Sequence, residues 1–366
     1  MKKTDLLIIG GGPAGLCAAA MAAECGAHAL VLERNPKAGG QLVKQTHMFF
    51  GSEKQHASVR GVDIADILLE KIARYPNNVE LMTSTTAVGL YEDGVATALY
   101  KEENYFKIMP RAVIAATGAY ERPLAFPNND LPGIYGAGAV QTLMNVYGVK
   151  PGERALMVGA GNIGLIVSYQ LMQAGVKVVA ILDAAPKIGG YLVHAAKVAR
   201  MGVPILTSHT VKRALGETEL KAVEICAVDE RFRPLEGTEK LYEVDTLCVA
   251  VGLSPLAELL EMRGCEMRYV PQLGGTVPVR NENYETTVEN VFAAGDTSGI
   301  EEASAAMVEG SLAGLCASAK LGFVHPRYEE LRQELQGQLD ALRAGPAGKH
   351  IREGIDRIVA KGGFSC

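Results

Sequence analysis

No stretch of this 366-residue sequence approaches the ~18 uninterrupted apolar residues that a membrane span needs, so no membrane insertion is expected. The apolar run Leu6-Leu7-Ile8-Ile9 follows Asp5 and breaks at Gly10-Gly11-Gly12-Pro13. It is too short for a secretory signal and reads as a buried strand. Basic residues are not in excess: the formal net charge is −5, with acids and bases interspersed. A basic face for nucleic acid or anionic lipid is thereby excluded. The seven cysteines (Cys17, Cys25, Cys226, Cys248, Cys265, Cys316, Cys366) contain no CxxC pair and no metal-type cluster, and their number is odd. That pattern argues against redox-active dithiol chemistry, an iron–sulfur centre and a disulfide framework. A reducing cytoplasm is the expected compartment, and each cysteine reads as a small buried hydrophobe. His28, His194, His209, His325 and His350 are scattered without metal-ligand spacing.

What is present is length, apolar content and clustered glycine. A 366-residue chain that is 48% hydrophobic can build two or three domains with real cores. The 41 glycines gather in a few clusters, and two of these belong to an internal repeat. In the first copy Leu6-Leu7-Ile8-Ile9 leads into Gly10-x-Gly12-x-x-Gly15. An Ala-rich helix over 16–25 and a strand Ala29-Leu30-Val31-Leu32 ending in Glu33 follow. In the second, Ala155-Leu156-Met157-Val158 leads into Gly159-x-Gly161-x-x-Gly164, then a helix over 165–173 and a strand from Val176 to Asp183. The continuations also match, Lys37-Ala38-Gly39-Gly40-Gln41-Leu42-Val43 against Lys187-Ile188-Gly189-Gly190-Tyr191-Leu192-Val193.

This is a dinucleotide-binding βαβ design written twice. The first glycine permits the tight turn, the second lets the backbone approach a pyrophosphate, and the third allows close helix–strand packing. The helix N-terminus supplies amide donors, so the phosphates need no Lys or Arg. Glu33 and Asp183 stand where a carboxylate accepts the hydroxyls of an adenosine ribose. In the second copy Asp183 is followed by Ala184 and Ala185 with no arginine, which favours NAD over NADP; Lys187 is the nearby cation that weighs the other way.

The order of Gly10-x-Gly12-x-x-Gly15, Ala116-Thr117-Gly118, Gly159-x-Gly161-x-x-Gly164 and Val291-Phe292-Ala293-Ala294-Gly295-Asp296 resembles the two-dinucleotide-domain flavoproteins that include glutathione and thioredoxin reductases. The resemblance spans about residues 4–320. It implies an α/β protein with two three-layer Rossmann-like domains, the second inserted in the first, plus a short helical C-terminal tail. The implied bounds are 1–117 with 253–325 for an FAD-binding domain, 118–252 for an NAD(P)-binding domain, and 326–366 for the tail. The resemblance assigns FAD to Gly10, Gly12, Pro13, Ala14, Gly15, Glu33, Arg34, Gly40, Gln41, Thr117, Gly118, Gly295 and Asp296. It assigns NAD(H) to Gly159, Gly161, Asn162, Ile163, Gly164, Asp183 and Gly252.

Three further segments narrow the likeness: Ala119-Tyr120-Glu121-Arg122-Pro123, Leu131-Pro132-Gly133-Ile134-Tyr135-Gly136 and Gly274-Gly275-Thr276-Val277-Pro278-Val279-Arg280. They resemble the alpha-type subunits of bacterial amine and amino-acid dehydrogenases, a group that takes in opine oxidase, hydrogen cyanide synthase and the dye-linked proline dehydrogenase. In such assemblies a separate beta-type flavoprotein oxidises the C–N bond, and the alpha-type subunit handles electrons and nucleotides. Many relatives carry a cysteine-rich iron–sulfur segment; beyond Cys316 this sequence has only Cys366, so no relay through such a cluster is expected here.

The remaining segments are less specific. Residues 44–61 are polar and aromatic without periodicity, and the resemblance runs this loop beside the flavin ring, with Lys44 and His47 as candidates to tune it. Residues 62–75 read as an amphipathic helix, 80–114 as a small antiparallel meander, and 205–249 as further strands with a loop near 231–237. In the tail, Leu331, Leu335, Leu339 and Leu342 form a helical stripe, and Ile351, Ile355, Ile358 and Val359 another. Each stripe packs on the chain's own body or docks a partner subunit. The functional expectation is an FAD-dependent, NAD(P)-linked oxidoreductase that passes electrons between flavin and NAD(H), or a second flavin at a subunit contact. Two alternatives stand beside it: a stand-alone NAD(P)H-dependent reductase of a quinone or small electrophile, and a non-catalytic nucleotide-binding structural subunit. The small-molecule substrate, bound at the flavin or on a partner, is not readable.

Overall fold

The computed structural model describes residues 1–49 and 52–360, so Phe50 and Gly51 of the 44–61 loop and Cys366 lie outside the described residues. The chain divides into two compact units, Met1–Tyr120 with the residues from Leu253 onward, and Glu121–Gly252.

In the first unit Lys2–Ile9 is flanked by Ala29–Leu32 and Asn104–Ala115, with Val79–Met82 and Val291–Ala293 extending the parallel set outward. The meander expected over 80–114 divides. Val79–Met82 joins the parallel set, while Thr85–Leu90, Ala96–Tyr100 and the first half of Asn104–Ala115 pair antiparallel. The alternation of a strand puts successive side chains on opposite faces, and here both faces are covered. Leu6, Ile8, Ala29 and Val31 pack beneath helices, whereas Leu7, Ile9, Leu30 and Leu32 pack against Leu90, Ala96 and Ala98 of the meander. Three layers result, which is why the first strand is apolar without interruption from Leu6 to Ile9.

The helix after the first glycine cluster, Pro13–Glu24, is buried along almost its whole length because the helix Ala303–Lys320 lies directly on it. Small residues permit that approach: a Cβ on Gly310 would sit 2.0 Å from the Ala14 carbonyl oxygen, and one on Gly314 2.5 Å from that of Ala18. The amphipathic helix is Gly61–Ala73, with Ile64, Ala65, Leu68 and Ile72 facing the core.

The C-terminal leucine stripe packs inward. Helix Tyr328–Leu342 buries Leu339 completely in the first unit's core, with Leu335 and Leu342 against it. Past the helix Gly345–Ile355, Ile358 is buried with Val270, Leu273 and Val277, and Ile351, Ile355 and Val359 pack beside them. These residues of both stripes pack on the chain's own body.

The second unit repeats the plan. Its parallel sheet runs Ile205–Thr207, Lys177–Asp183, Arg154–Val158, Thr246–Val249, Ile134–Gly136. Met157 and Ile181 face the helices Asn162–Gln173 and Leu192–Arg200, while Leu156, Val158 and Leu182 face an antiparallel sheet of His209–Leu215, Ala222–Ala227 and Lys240–Glu243. No helix of the described residues is long and apolar enough to cross a membrane.

Candidate functional site

In each unit the glycine cluster, the acidic residue and the crossing loop emerge from the carboxyl ends of neighbouring parallel strands. In doubly wound sheets that edge is where ligands bind. In the first unit these are Gly10 after Ile9, Glu33 after Leu32, Thr117 after the strand ending at Ala115, and Gly295 after the strand ending at Ala293. In the second they are Gly159 after Val158, Asp183 at the end of its strand, and Ala250 after Val249.

The three glycines of each cluster are needed for different reasons. Gly10 has φ +114° and Gly159 φ +105°, and a Cβ on either would meet the carbonyl oxygen of Ala116 at 2.2 Å or of Ala250 at 2.1 Å. A Cβ on Gly15 would lie 1.8 Å from the Gly10 oxygen, and one on Gly164 2.0 Å from the Gly159 oxygen. The first and third glycines are therefore demanded by the chain's own backbone. The second is not: a Cβ on Gly161 meets nothing within 4 Å, and one on Gly12 only the Gly40 Cα at 3.8 Å. Both second glycines are helix N-caps without a side-chain cap, at the starts of Pro13–Glu24 and Asn162–Gln173. Open space in front of uncapped amide donors fits a pyrophosphate.

The carboxylates are held in a matching way. Glu33, 5% exposed, accepts from the Gly11 amide at 3.0 Å and from the Asn35 amide and side-chain Nδ2 at 2.7 Å each. Asp183 accepts from the Ala160 amide at 2.8 Å and the Ala185 amide at 2.9 Å. Each binds the middle residue of its own Gly-x-Gly turn and the residue two places on. An ionised carboxylate has about four acceptor sites, so some remain for ribose hydroxyls. Around Asp183 a pocket of about 440 Å³ is lined by Gly159, Gly161, Ala184, Ala185, Lys187 and Thr210, with Leu124, Phe232, Ala250 and Val251 also bordering it. The donor set and the space fit a dinucleotide in both units.

Not every expected residue stands at these surfaces. Gly15 and Gly164 are buried packing positions, Asn162 uses its Oδ1 to accept from the Tyr191 amide at 2.8 Å, and Gly252 lies one residue past the lining Ala250 and Val251. Ile163, Arg34 and Gln41 are exposed, and Pro13, Ala14 and Gly40 cluster at the first turn, where a Cβ on Gly40 would press within 2.7 Å of Gly12. Lys44 ends the short helical turn Gly40–Lys44, and the rings of His47 and Phe49 stack at 5.6 Å.

Thr117-Gly118 and Gly295-Asp296, distant in sequence, are tied together by a residue that the motifs did not flag. The Thr297 hydroxyl accepts from the Gly118 amide at 2.9 Å and shares a hydrogen bond with the Thr117 hydroxyl at 3.0 Å, while Thr117 also donates to the Leu256 carbonyl. Beneath this turn lies a buried charge network. Glu309 accepts from the Gly295 amide at 3.0 Å and from Arg343 at 2.6 Å, and Arg343 also grips Glu301 at 2.6 and 2.9 Å. Arg280 approaches Glu309 at 3.4 Å and lies 4.1 Å above the Tyr284 ring. The available signal was Glu309 itself, one acid inside the apolar helix Ala303–Lys320.

Asp296 feels this surrounding. Burial, with Glu301, Glu309 and Glu302 nearby, pushes its carboxyl up to about 7, against the lowering effect of the Glu301 amide that it accepts at 3.3 Å. Between about pH 4 and 7 the folded chain therefore holds a proton that the unfolded chain has released, and stability falls as pH rises through that window. Asp296→Asn is expected to raise the thermal midpoint of the flavin-free chain progressively from about pH 4 to about pH 8, as read by a pH series of melting curves. Equal shifts at every pH would show that Asp296 titrates normally.

Among the described residues no group of His, Cys, Asp or Glu is arranged to hold a metal ion. Burial pushes the Cys17 thiol up to about 11 and Cys248 up to about 12, so both stay protonated near neutrality.

Comparison with known proteins gives the family and the fold. Residues 4–310 match the family described as pyridine nucleotide-disulphide oxidoreductase. The alpha subunit of sarcosine oxidase from Corynebacterium sp. (strain U-96) is 30% identical over 339 residues, covering 87% of this chain but 33% of that protein, so the chain spans about a third of that relative's length. The A subunit of opine oxidase from Agrobacterium tumefaciens (strain Ach5) is 28% identical, covering 92% of this chain and 72% of its own. Among solved structures, L-proline dehydrogenase from P. horikoshii superposes with a TM-score of 0.70 at 23% identity, covering 91% of this chain and 59% of that one. T. acidophilum thioredoxin reductase gives 0.71 at 20% identity, covering 87% and 99%. These structural likenesses establish the fold.

Proposed function

The chain belongs to the pyridine nucleotide-disulphide oxidoreductase family, and from that premise we propose that it is an FAD-dependent oxidoreductase passing electrons between flavin and NAD(H). We assign it as the alpha-type, electron-transfer subunit of an amine or amino-acid dehydrogenase complex. The carrying observation is the duplication of one site plan, in which Glu33 and Asp183 each brace a Gly-x-Gly turn and face open space at a helix N-terminus. Bound FAD and NAD(H) supply the two-electron hydride chemistry.

In this reading the first unit holds FAD and the second, Glu121–Gly252, holds NAD(H). The amides after Gly12 and Gly161 receive the pyrophosphates, Glu33 and Asp183 take the adenosine riboses, and Thr117, Gly118, Thr297 and Asp296 shape the flavin end. Asp183 repels a 2′-phosphate, which supports NAD over NADP. The relatives are named as subunits of sarcosine oxidase and opine oxidase, which supports a partner chain, proposed to be a beta-type flavoprotein that carries C–N oxidation.

Anaerobic titration of the purified chain tests the proposal. A yellow protein whose visible flavin band is bleached by stoichiometric NADH, and less readily by NADPH, is expected. A colourless protein removes the FAD assignment; a flavin band indifferent to both nucleotides removes the electron-transfer role.

A further inference from the structure

The loop over 230–237, which joins two strands of the second unit's antiparallel sheet, carries an aromatic residue in an unfavourable place. Phe232 is 60% exposed and has φ +60°, a left-handed backbone that strains a bulky L-residue. Glycine would adopt it freely. The conformation is held from one side by Asp229. Its Oδ1 accepts from the Arg231 amide at 2.8 Å and the Arg233 amide at 2.9 Å, its carbonyl accepts from the Phe232 amide at 2.9 Å, and its own amide donates to the Arg233 carbonyl at 3.0 Å. A bridge between Val228 and Pro234 closes the base of the turn. A strained, well-braced turn that holds a large apolar ring in water asks for a ligand that covers the ring.

The ring borders the Asp183 pocket, together with Ala184, Ala185, Lys187 and Thr210. Beside Asp183 these residues offer small side chains, one hydroxyl, one ammonium and one flat aromatic face. We propose that Phe232 is a specificity-determining residue that stacks on the adenine ring of the nucleotide held by residues 121–252. The inference rests on the reading of this unit as a nucleotide site and adds which part of the ligand is recognised. A base offers a π-face wherever an aromatic side chain can lie parallel to it, and such stacking is worth roughly 1–3 kcal/mol on alanine substitution.

The test is calorimetric titration of the FAD-loaded chain with ADP and, separately, with nicotinamide mononucleotide, which lacks adenine. Phe232→Ala is expected to weaken ADP about ten-fold or more and to leave nicotinamide mononucleotide and flavin content unchanged, while Phe232→Tyr retains wild-type ADP affinity. ADP affinity unaffected by Phe232→Ala overturns the proposal, and so does a parallel loss of both ligands, which would mean a collapsed loop. A wild-type chain that keeps its flavin yet binds no ADP overturns both this proposal and the second nucleotide site on which it rests.

Discussion

Gly12→Ala is expected to leave the flavin-free chain as stable as the original and to weaken FAD binding by roughly 100-fold, whereas Gly15→Ala, three residues on, is expected to yield little folded protein. The two positions look equivalent in the Gly10-x-Gly12-x-x-Gly15 spacing and are not equivalent in space. Gly12 has φ −80° and ψ −174°, which alanine adopts without strain, and its Cβ would meet nothing closer than 3.8 Å. A methyl there intrudes only on a ligand that approaches the turn. Loss of one charge-assisted hydrogen bond to a pyrophosphate, at roughly 1.5–3 kcal/mol, reaches the expected factor at the upper end of that range. At Gly15 the methyl would lie 1.8 Å from the Gly10 oxygen and 3.3 Å from the Ile8 side chain, between a helix and a strand that cannot separate without opening the core. Overlap of that kind belongs among single substitutions costing about 4 kcal/mol or more. Melting curves of the flavin-free chain and fluorescence titration with FAD separate the effects. A Gly12→Ala chain that binds FAD normally would remove the phosphate role of the turn.

Arg343→Met is expected to lower the thermal midpoint by on the order of 10 °C. Arg343 follows the helix Tyr328–Leu342, and 7% of its surface is exposed. Methionine keeps the aliphatic stem and removes the guanidinium, leaving Glu301 without the fork that grips it and Glu309 with Arg280 as its remaining cation at 3.4 Å. Removing one member of a buried ion pair costs about 3–5 kcal/mol, because a desolvated charge is stranded. Glu301→Gln added to Arg343→Met is therefore expected to recover at least half of the loss. The double variant separates stranded charge from lost packing: equal midpoints for the single and double variants would mean that packing carries the effect. Flavin affinity is expected to fall with Arg343→Met as well, since Glu309 orients the Gly295 amide. By this route a residue from the C-terminal helices bears on the turn that contains Asp296.

Much of this protein is legible without coordinates, because the information is local. The repeat places strand, turn, helix and acid at fixed spacing, and short-range sterics and hydrogen bonding turn that spacing into the same βαβ unit twice. Pairing both faces of the strands with apolar partners follows from their unbroken hydrophobicity. What local sequence did not contain was the division of labour among residues of one motif. Gly15 and Gly164 serve backbone packing and Gly12 and Gly161 face open space, a distinction created by which carbonyl lies opposite each Cα. The fate of the leucine stripe near the C-terminus was likewise open at the level of periodicity, since a stripe specifies a buried face and not its partner; the structure buries it in the first unit's own core. Thr297, Glu301 and Arg343 were invisible for a third reason. Each acts through a partner tens or hundreds of residues away, and only the folded chain brings Gly118 to Thr297 and Arg343 to Glu309. Sequence by itself determined the two nucleotide-fold units and their acids, because strand, turn and helix are set by neighbours. Tertiary structure alone decided which groups brace those turns, because burial and long-range hydrogen bonding are properties of the packed chain.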